Sequence, residues 1–252
     1  MTRTLCNVLQ SEKNSRYKGG IYHRLQIDFA YNSNHIEGSR LTHEQTRYIY
    51  ETKTIGADNA NVNDIIETVN HFRCFDYILD TLSQPLTEEY IKNLHRILKT
   101  GVFEEDAVIG RYKELPNEVG LLQTALPEEV PRQMQNLLSE YHHSALTLYE
   151  IADFHRKYER IHPFYDGNGR TGRLLMFKQC LENDVIPFFI DDFHKRFYYM
   201  GLQEWQTDGK SERLISVFLS LQDAMKQIMD YFRIEYHHKK YTYKDVLAEA
   251  GK

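Results

Sequence analysis

The stretch Ile161-His162-Pro163-Phe164-Tyr165-Asp166-Gly167-Asn168-Gly169-Arg170-Thr171-Gly172-Arg173 runs directly into the apolar residues Leu174-Leu175-Met176-Phe177. Pro163 closes the helix before it and biases His162 toward extended geometry, projecting the imidazole from the helix end. Gly167 and Gly169 flank Asn168, so the backbone can turn tightly and aim its N–H groups at an anion with no Cβ in the way. A helix expected from about Thr171 adds its positive N-terminal dipole at the same place. Arg170 and Arg173 are three residues apart, so both guanidinium groups face one polyphosphate. Cations there oppose the dipole at ~0.3–1 kcal/mol each, a cost that a bound anion offsets. Asp166 suits Mg²⁺ (or Mn²⁺) held against phosphate oxygens. His162, with an ordinary pKa of ~6.5, can accept a hydroxyl proton near neutrality. Together these are the parts of a nucleotidyl-transfer site.

Outward from this loop the periodicity is helical. Thr147 and Glu150 have capping-box spacing and open a helix that runs to Ile161. Further helices are expected over 21–36, from Thr42, over 62–82, from Thr87 to Gly101, and over 128–143, 171–183, 192–206 and 211–235. Only residues 110–127 resist, with Gly and Pro punctuation and a Val119-Gly120-Leu121 turn that suggests a short hairpin or flap. The expected fold is one all-α domain with a small β excursion. Its parts are an N-terminal helical region (1–60), a core (61–210), and a C-terminal helix and tail (211–252).

The chain has 252 residues, 41% hydrophobic and 27% charged, with a formal net charge of −5. Such a composition supports a folded core and excludes an overall basic field for nucleic acid. No apolar run approaches the ~18 residues of a membrane span. The first residues lack the pattern of a signal peptide. Cys6, Cys74 and Cys180 are odd in number and widely spaced, which reads as reduced cytoplasmic thiols. His155, two helical turns before His162, reads as a hydrogen-bonded core residue.

HPFYDGNGRTGR resembles the HxFx(D/E)GNGRxxR signature of Fic-domain proteins at every fixed position, and the resemblance extends over about Ile21 to Trp205. It implies a Fic-type helical fold and transfer of AMP from ATP to a Ser, Thr or Tyr hydroxyl of a target protein, releasing pyrophosphate. It implies His162 as general base and Asp166 as the metal ligand. Gly167, Asn168, Gly169, Arg170, Thr171, Gly172 and Arg173 then form the nucleotide-phosphate site. Residues 110–127 match the family's flap, in which Val119, Gly120, Leu121 and Leu122 lie over the nucleotide and align an extended target segment by strand addition. Tyr198 and Tyr199 match a tyrosine pair lining the nucleotide pocket, and Gln206 sits where relatives have a polar adenine contact.

Ser33-Asn34-His35-Ile36-Glu37-Gly38 is similar to the (S/T)xxxE(G/N) inhibitory helix of the family, placed N-terminal to the core as in class II. A carboxylate at Glu37 reaching Arg173 would occupy the guanidinium meant for the γ-phosphate. Breaking a buried pair of this kind costs ~3–5 kcal/mol. The expectation is therefore an autoinhibited protein adenylyltransferase in which Ser33 and Glu37 are inhibitory, and a homodimer or self-modification in trans is compatible with how relatives are released. The same residues leave three other outcomes open: transfer of a different group, removal of AMP with Glu37 positioning a water, and a non-catalytic nucleotide-binding module.

Overall fold

A computed structural model describes residues 3–54, 60–102, 108–120, 122–142 and 145–250. The helices are α1 (Leu5–Ser15), α2 (Ile21–Ile36), α3 (His43–Thr52), α4 (Val62–Asp80), α5 (Glu88–Lys99), α6 (Val130–Glu140), α7 (Leu148–Ile161), α8 (Asn168–Glu182), α9 (Asp192–Asp208), α10 (Glu212–Tyr231) and α11 (Tyr243–Glu249). Between α5 and α6 lies one antiparallel hairpin, β1 (Glu118–Val119) with β2 (Leu122–Gln123). Glu118 stands opposite Gln123 and Val119 opposite Leu122. The expected all-α domain with a hairpin is what the chain forms.

The helix ends follow from local chemistry. Thr42 and Thr147 each accept from the backbone N–H three residues on, and Gln45 and Glu150 return the bond in complete capping boxes. Thr87 caps α5 through the Tyr90 N–H. α8 is the axis of the fold. From Arg170 to Leu181 all its residues are buried, because α2, α4, α5 and α7 pack around it. A helix enclosed on every side needs no polar stripe, and α8 has none. Its buried Lys178 is satisfied by the Leu82 and Gln84 carbonyls at 3.1 and 3.0 Å and by Glu182.

Three features differ from the expectation. α1 was not anticipated, although Leu5, Val8 and Leu9 are buried at helical spacing. α8 begins at Asn168 rather than Thr171, with Gly167 as N-cap at φ 75°. His162 is not extended: it ends α7 in the left-handed conformation (φ 52°, ψ 61°), its N–H bonded to the Tyr158 carbonyl. A left-handed cap is a second way to satisfy the restriction Pro163 places on the residue before it, and it reverses the chain within one residue.

Candidate active site

The loop between α7 and α8 is tied to itself before it meets any ligand. Asn168 Oδ1 accepts from the Phe164 N–H and its Nδ2 donates to the Phe164 carbonyl, both at 2.8 Å. The Asn168 side chain is thus buried as the clasp of the turn. Phe164 stacks flat on His95 of α5, with ring centroids 3.8 Å apart and planes 4° apart. The Gly110 N–H donates to His95 Nδ1 at 3.0 Å, so the opposite nitrogen, 3.0 Å from the Asp166 carbonyl, carries the proton. Burial pushes that imidazole down to about 4, which keeps it neutral in this role.

Asp166 projects from the loop toward two cations. Its Oδ2 lies 2.6 Å from Lys99 Nζ and 3.1 Å from an Arg170 guanidinium nitrogen. Glu67 of α4 holds the same two cations, Lys99 at 2.8 Å and Arg170. Burial works against ionising Asp166, but Arg170 and Lys99 outweigh it and bring its carboxyl down to about 2. The side chain is 47% exposed, so an ionised face is open to solvent. One carboxylate of this kind, completed by phosphate and water oxygens, fits the way Mg²⁺ is usually held. Among the described residues no group of three His, Cys, Asp or Glu is placed for a metal, so an all-protein cage does not fit.

The two arginines part company. Arg170 is buried and turned toward Glu67 and Asp166, so it braces the loop. Arg173, one turn on, is 2% exposed and reaches α2. Its Nε donates to Ser33 Oγ at 3.1 Å, and its NH2 donates to the Ser33 carbonyl at 2.9 Å and to Glu37 Oε1 at 2.6 Å. Burial raises the cost of the Glu37 charge, and Arg173 overcomes it, holding the carboxyl below its ordinary value. The carboxylate also lies on the first turn of α8, where a Cβ on Gly169 would collide with Glu37 Oε1. Glu37 therefore sits where the helix N-terminus and Arg173 would together receive an anion.

His162 faces this place from the end of α7. Burial, with help from the Lys113 ammonium, pushes its imidazole down to about 4, so it is neutral at pH 7 and Nδ1 has no hydrogen-bond partner. A cavity of about 520 Å³, reached by Glu159 and Arg160 from the last turn of α7, is also lined by Val119, Gly120, Tyr199, Leu202 and Gln206. Val119 and Gly120 thus share a cavity with Tyr199 and Gln206, and Gln206 donates to the Arg156 carbonyl at 3.3 Å. Leu121 lies outside the described residues, and Leu122 is described only as the first residue of β2.

The tyrosine pair divides. Tyr198 is fully buried and hydrogen-bonded to His155 Nε2 at 2.7 Å beneath the cavity, while Tyr199 forms its wall. Successive helix residues differ by about 100° in direction, so the two tyrosines present different faces of α9. His155 is the core histidine its position suggests. Thr171 and Gly172 are buried as well, and a Cβ on Gly172 would collide with Glu159 of α7.

Sequence reasoning overlooked Glu67, His95, Lys99, Lys113 and Glu159. A signal for the first was present: Glu67, Asn70 and His71 are polar residues on the face of α4 that also buries Phe72 and Cys74. Burial pushes Glu159 up to about 8, and its Oε1 has no hydrogen-bond partner.

Residues 85–180 match the Fic/DOC family. The protein adenylyltransferase Fic of Drosophila persimilis is 31% identical over 209 residues, 78% of this chain and 38% of the relative. That of Nematostella vectensis is 31% identical over 180 residues, 68% of this chain and 42% of the relative. The chain spans less than half the length of the curated relatives it matches. Among solved structures, a Fic-domain-containing signaling protein from Bacteroides thetaiotaomicron superposes with TM-score 0.74 at 24% identity, covering 93% of this chain and 99% of that one. A Fic protein from C. elegans gives 0.73 at 19% identity, covering 90% and 71%. At these identities the likeness is one of fold.

Proposed function

The chain belongs to the Fic/DOC family, and from that premise we propose that it is an autoinhibited protein adenylyltransferase of the class with an N-terminal inhibitory helix. The observation that carries the reading is the position of Glu37, held on Arg173 and on the first turn of α8 beside a neutral His162. A carboxylate held where a phosphate would be received suits a nucleotide site kept closed from within.

With Glu37 withdrawn, Arg173 and the N-terminus of α8 would take the ATP phosphates, and Tyr199 and Gln206 would border the base. Flap residues Val119 to Leu122 would pair with an extended segment of the target protein. His162 takes the proton from the target hydroxyl as its oxygen attacks the α-phosphorus in line. The new O–P bond forms as the bond to the leaving pyrophosphate breaks, and the proton stays on the imidazole. Arg173 and the backbone of the first turn stabilise the charge that moves onto the phosphates. Mg²⁺ held through Asp166 would supply neutralising charge to those phosphates when bound. Three unpaired cysteines, two of them buried, accord with a reducing cytoplasmic setting.

The test is transfer of label from α-labelled ATP with Mg²⁺ to protein by the wild type, Glu37→Gly, and Glu37→Gly combined with His162→Ala. Labelling by Glu37→Gly alone is expected. No label in any sample, with ATP bound, would overturn the reading.

A further inference from the structure

We propose that Lys113 is a positioning residue that holds the flap to the loop carrying His162, its ammonium gripping the flap root and its backbone N–H the loop. The hairpin has two residues in each strand, and an isolated hairpin of that size does not hold its own shape in water. Something at its root must hold it.

Lys113 is 3% exposed and sits at that root. Its Nζ donates to Asn117 Oδ1 and Thr124 Oγ1, both at 2.7 Å, the residues immediately before β1 and after β2. One cation therefore holds both strands. Thr124 Oγ1 closes the root by donating to the Asn117 carbonyl at 2.8 Å. The same lysine reaches the catalytic side. Its N–H donates to the Pro163 carbonyl at 2.9 Å, and its Nζ lies 3.5 Å from the Ile161 carbonyl, so these contacts straddle His162. Asn117 Nδ2 adds a bond to the Phe164 carbonyl at 3.1 Å. Flap and loop are thereby one unit, although they come from different parts of the chain.

The contact also acts on charge. Among the described residues, the groups that bear on His162 are Lys113 from the flap root, Glu37 from α2, Asp166 from its own loop and the Glu159 carbonyl of α7. Lys113 is the cation among them, and it opposes protonation of the imidazole. Burial lowers the lysine itself to about 8, close enough to ordinary pH for the clamp to weaken in mild alkali.

This inference rests on the adenylyltransferase reading only for its consequence in turnover, so the experiment reads the clamp directly. In the Glu37→Gly background, hydrogen exchange at the Glu118, Val119 and Gln123 amides is measured without nucleotide, and the His162 ring is titrated by NMR. Lys113→Met should speed flap exchange at least tenfold and raise the His162 midpoint by on the order of half a pH unit. Thr124→Val, which keeps the cation, should speed exchange and leave the midpoint in place. Unchanged exchange in Lys113→Met, or an unmoved midpoint, would overturn the proposal. Should Lys113→Met fail to fold, Lys113→Arg takes its place: a parent-like midpoint is expected, and a raised one counts against the assignment. If Glu37→Gly transfers no label, the adenylyltransferase reading falls while the exchange and titration still decide the role of Lys113.

Discussion

Lys99 Nζ lies 2.6 Å from Asp166 Oδ2 and 2.8 Å from Glu67 Oε1, and Arg170 pairs with the same two carboxylates. Among the described residues, two cations and two anions from α4, α5, the loop and α8 form a square of alternating charge beneath the candidate active site. Each buried charge is compensated, which such a site requires.

Opening one corner of that square should be read out as metal affinity. Lys99→Met removes a cation and leaves one negative charge in excess beside the exposed face of Asp166. In the Glu37→Gly background with a non-hydrolysable ATP analogue, Mn²⁺ should bind roughly tenfold more tightly, the order expected for one unit charge a few ångströms away in a partly solvated site. Paramagnetic titration measures this, and an unchanged affinity would count against Asp166 as the ligand. The melting temperature should also fall, since Glu67 loses a buried partner.

Inhibition should be graded rather than all-or-none. Ser33→Ala removes the hydroxyl that accepts from Arg173 Nε but keeps the Ser33 carbonyl and Glu37. One hydrogen bond to a charged group is worth ~1.5–3 kcal/mol at most. Self-labelling should therefore rise by at most roughly ten- to a hundredfold in Ser33→Ala and remain below that of Glu37→Gly. Equal rates in the two variants would assign the restraint to Ser33.

What could be read beforehand was local. Threonine caps three residues ahead of Gln45, Tyr90 and Glu150 depend on neighbours within one turn, so spacing sufficed for them. The role of Arg170 depended on Glu67, which lies in a different helix, and nothing in the loop sequence points there. Tyr198 and Tyr199 were assigned together by resemblance, but the 100° step between helix neighbours sends one to His155 and the other to the cavity. α1 escaped because no side-chain cap marks its start: Thr4 stands at the N-cap without a capping bond.

Gly201 should tolerate no side chain. A Cβ there would lie 2.8 Å from the Leu214 backbone nitrogen, where α9 crosses α10. Backbone cannot move aside as a flexible side chain does, so Gly201→Ala should cost ~1–3 kcal/mol. Urea unfolding with an unchanged slope and a lower midpoint would show it.

Stability should decline in acid. In the folded protein burial holds His71 and His155 down to about 3, and His95 and His162 to about 4. The unfolded chain protonates all four near 6.5. Between those values the unfolded state binds more protons, so stability present above pH 6.5 is lost as pH falls toward 4. The combined loss should be on the order of several kcal/mol by pH 4.5, seen as a falling urea midpoint. Glu159 has the opposite sign. It keeps a proton up to about 8 that the unfolded chain gives up near 4.5, so its contribution is lost as pH rises between them. Glu159→Gln should remove the decline on the alkaline side.

The last turn of α2 holds Arg173 by two different kinds of attachment, and they let go by different motions. Glu37 is a side chain at the helix end, and swinging it aside is a rotamer change that has to break only its own ion pair with Arg173. The Ser33 carbonyl belongs to the helix backbone and stays on Arg173 through any such swing. Freeing the arginine from it requires the buried guanidinium itself to move, or the helix end to shift or unwind, the latter a motion of microseconds or longer. A nucleotide that arrives during a brief absence of Glu37 still meets a tethered guanidinium. On the proposed reading, the closed state would be guarded by the backbone contact at Ser33 as well as by the Glu37 carboxylate.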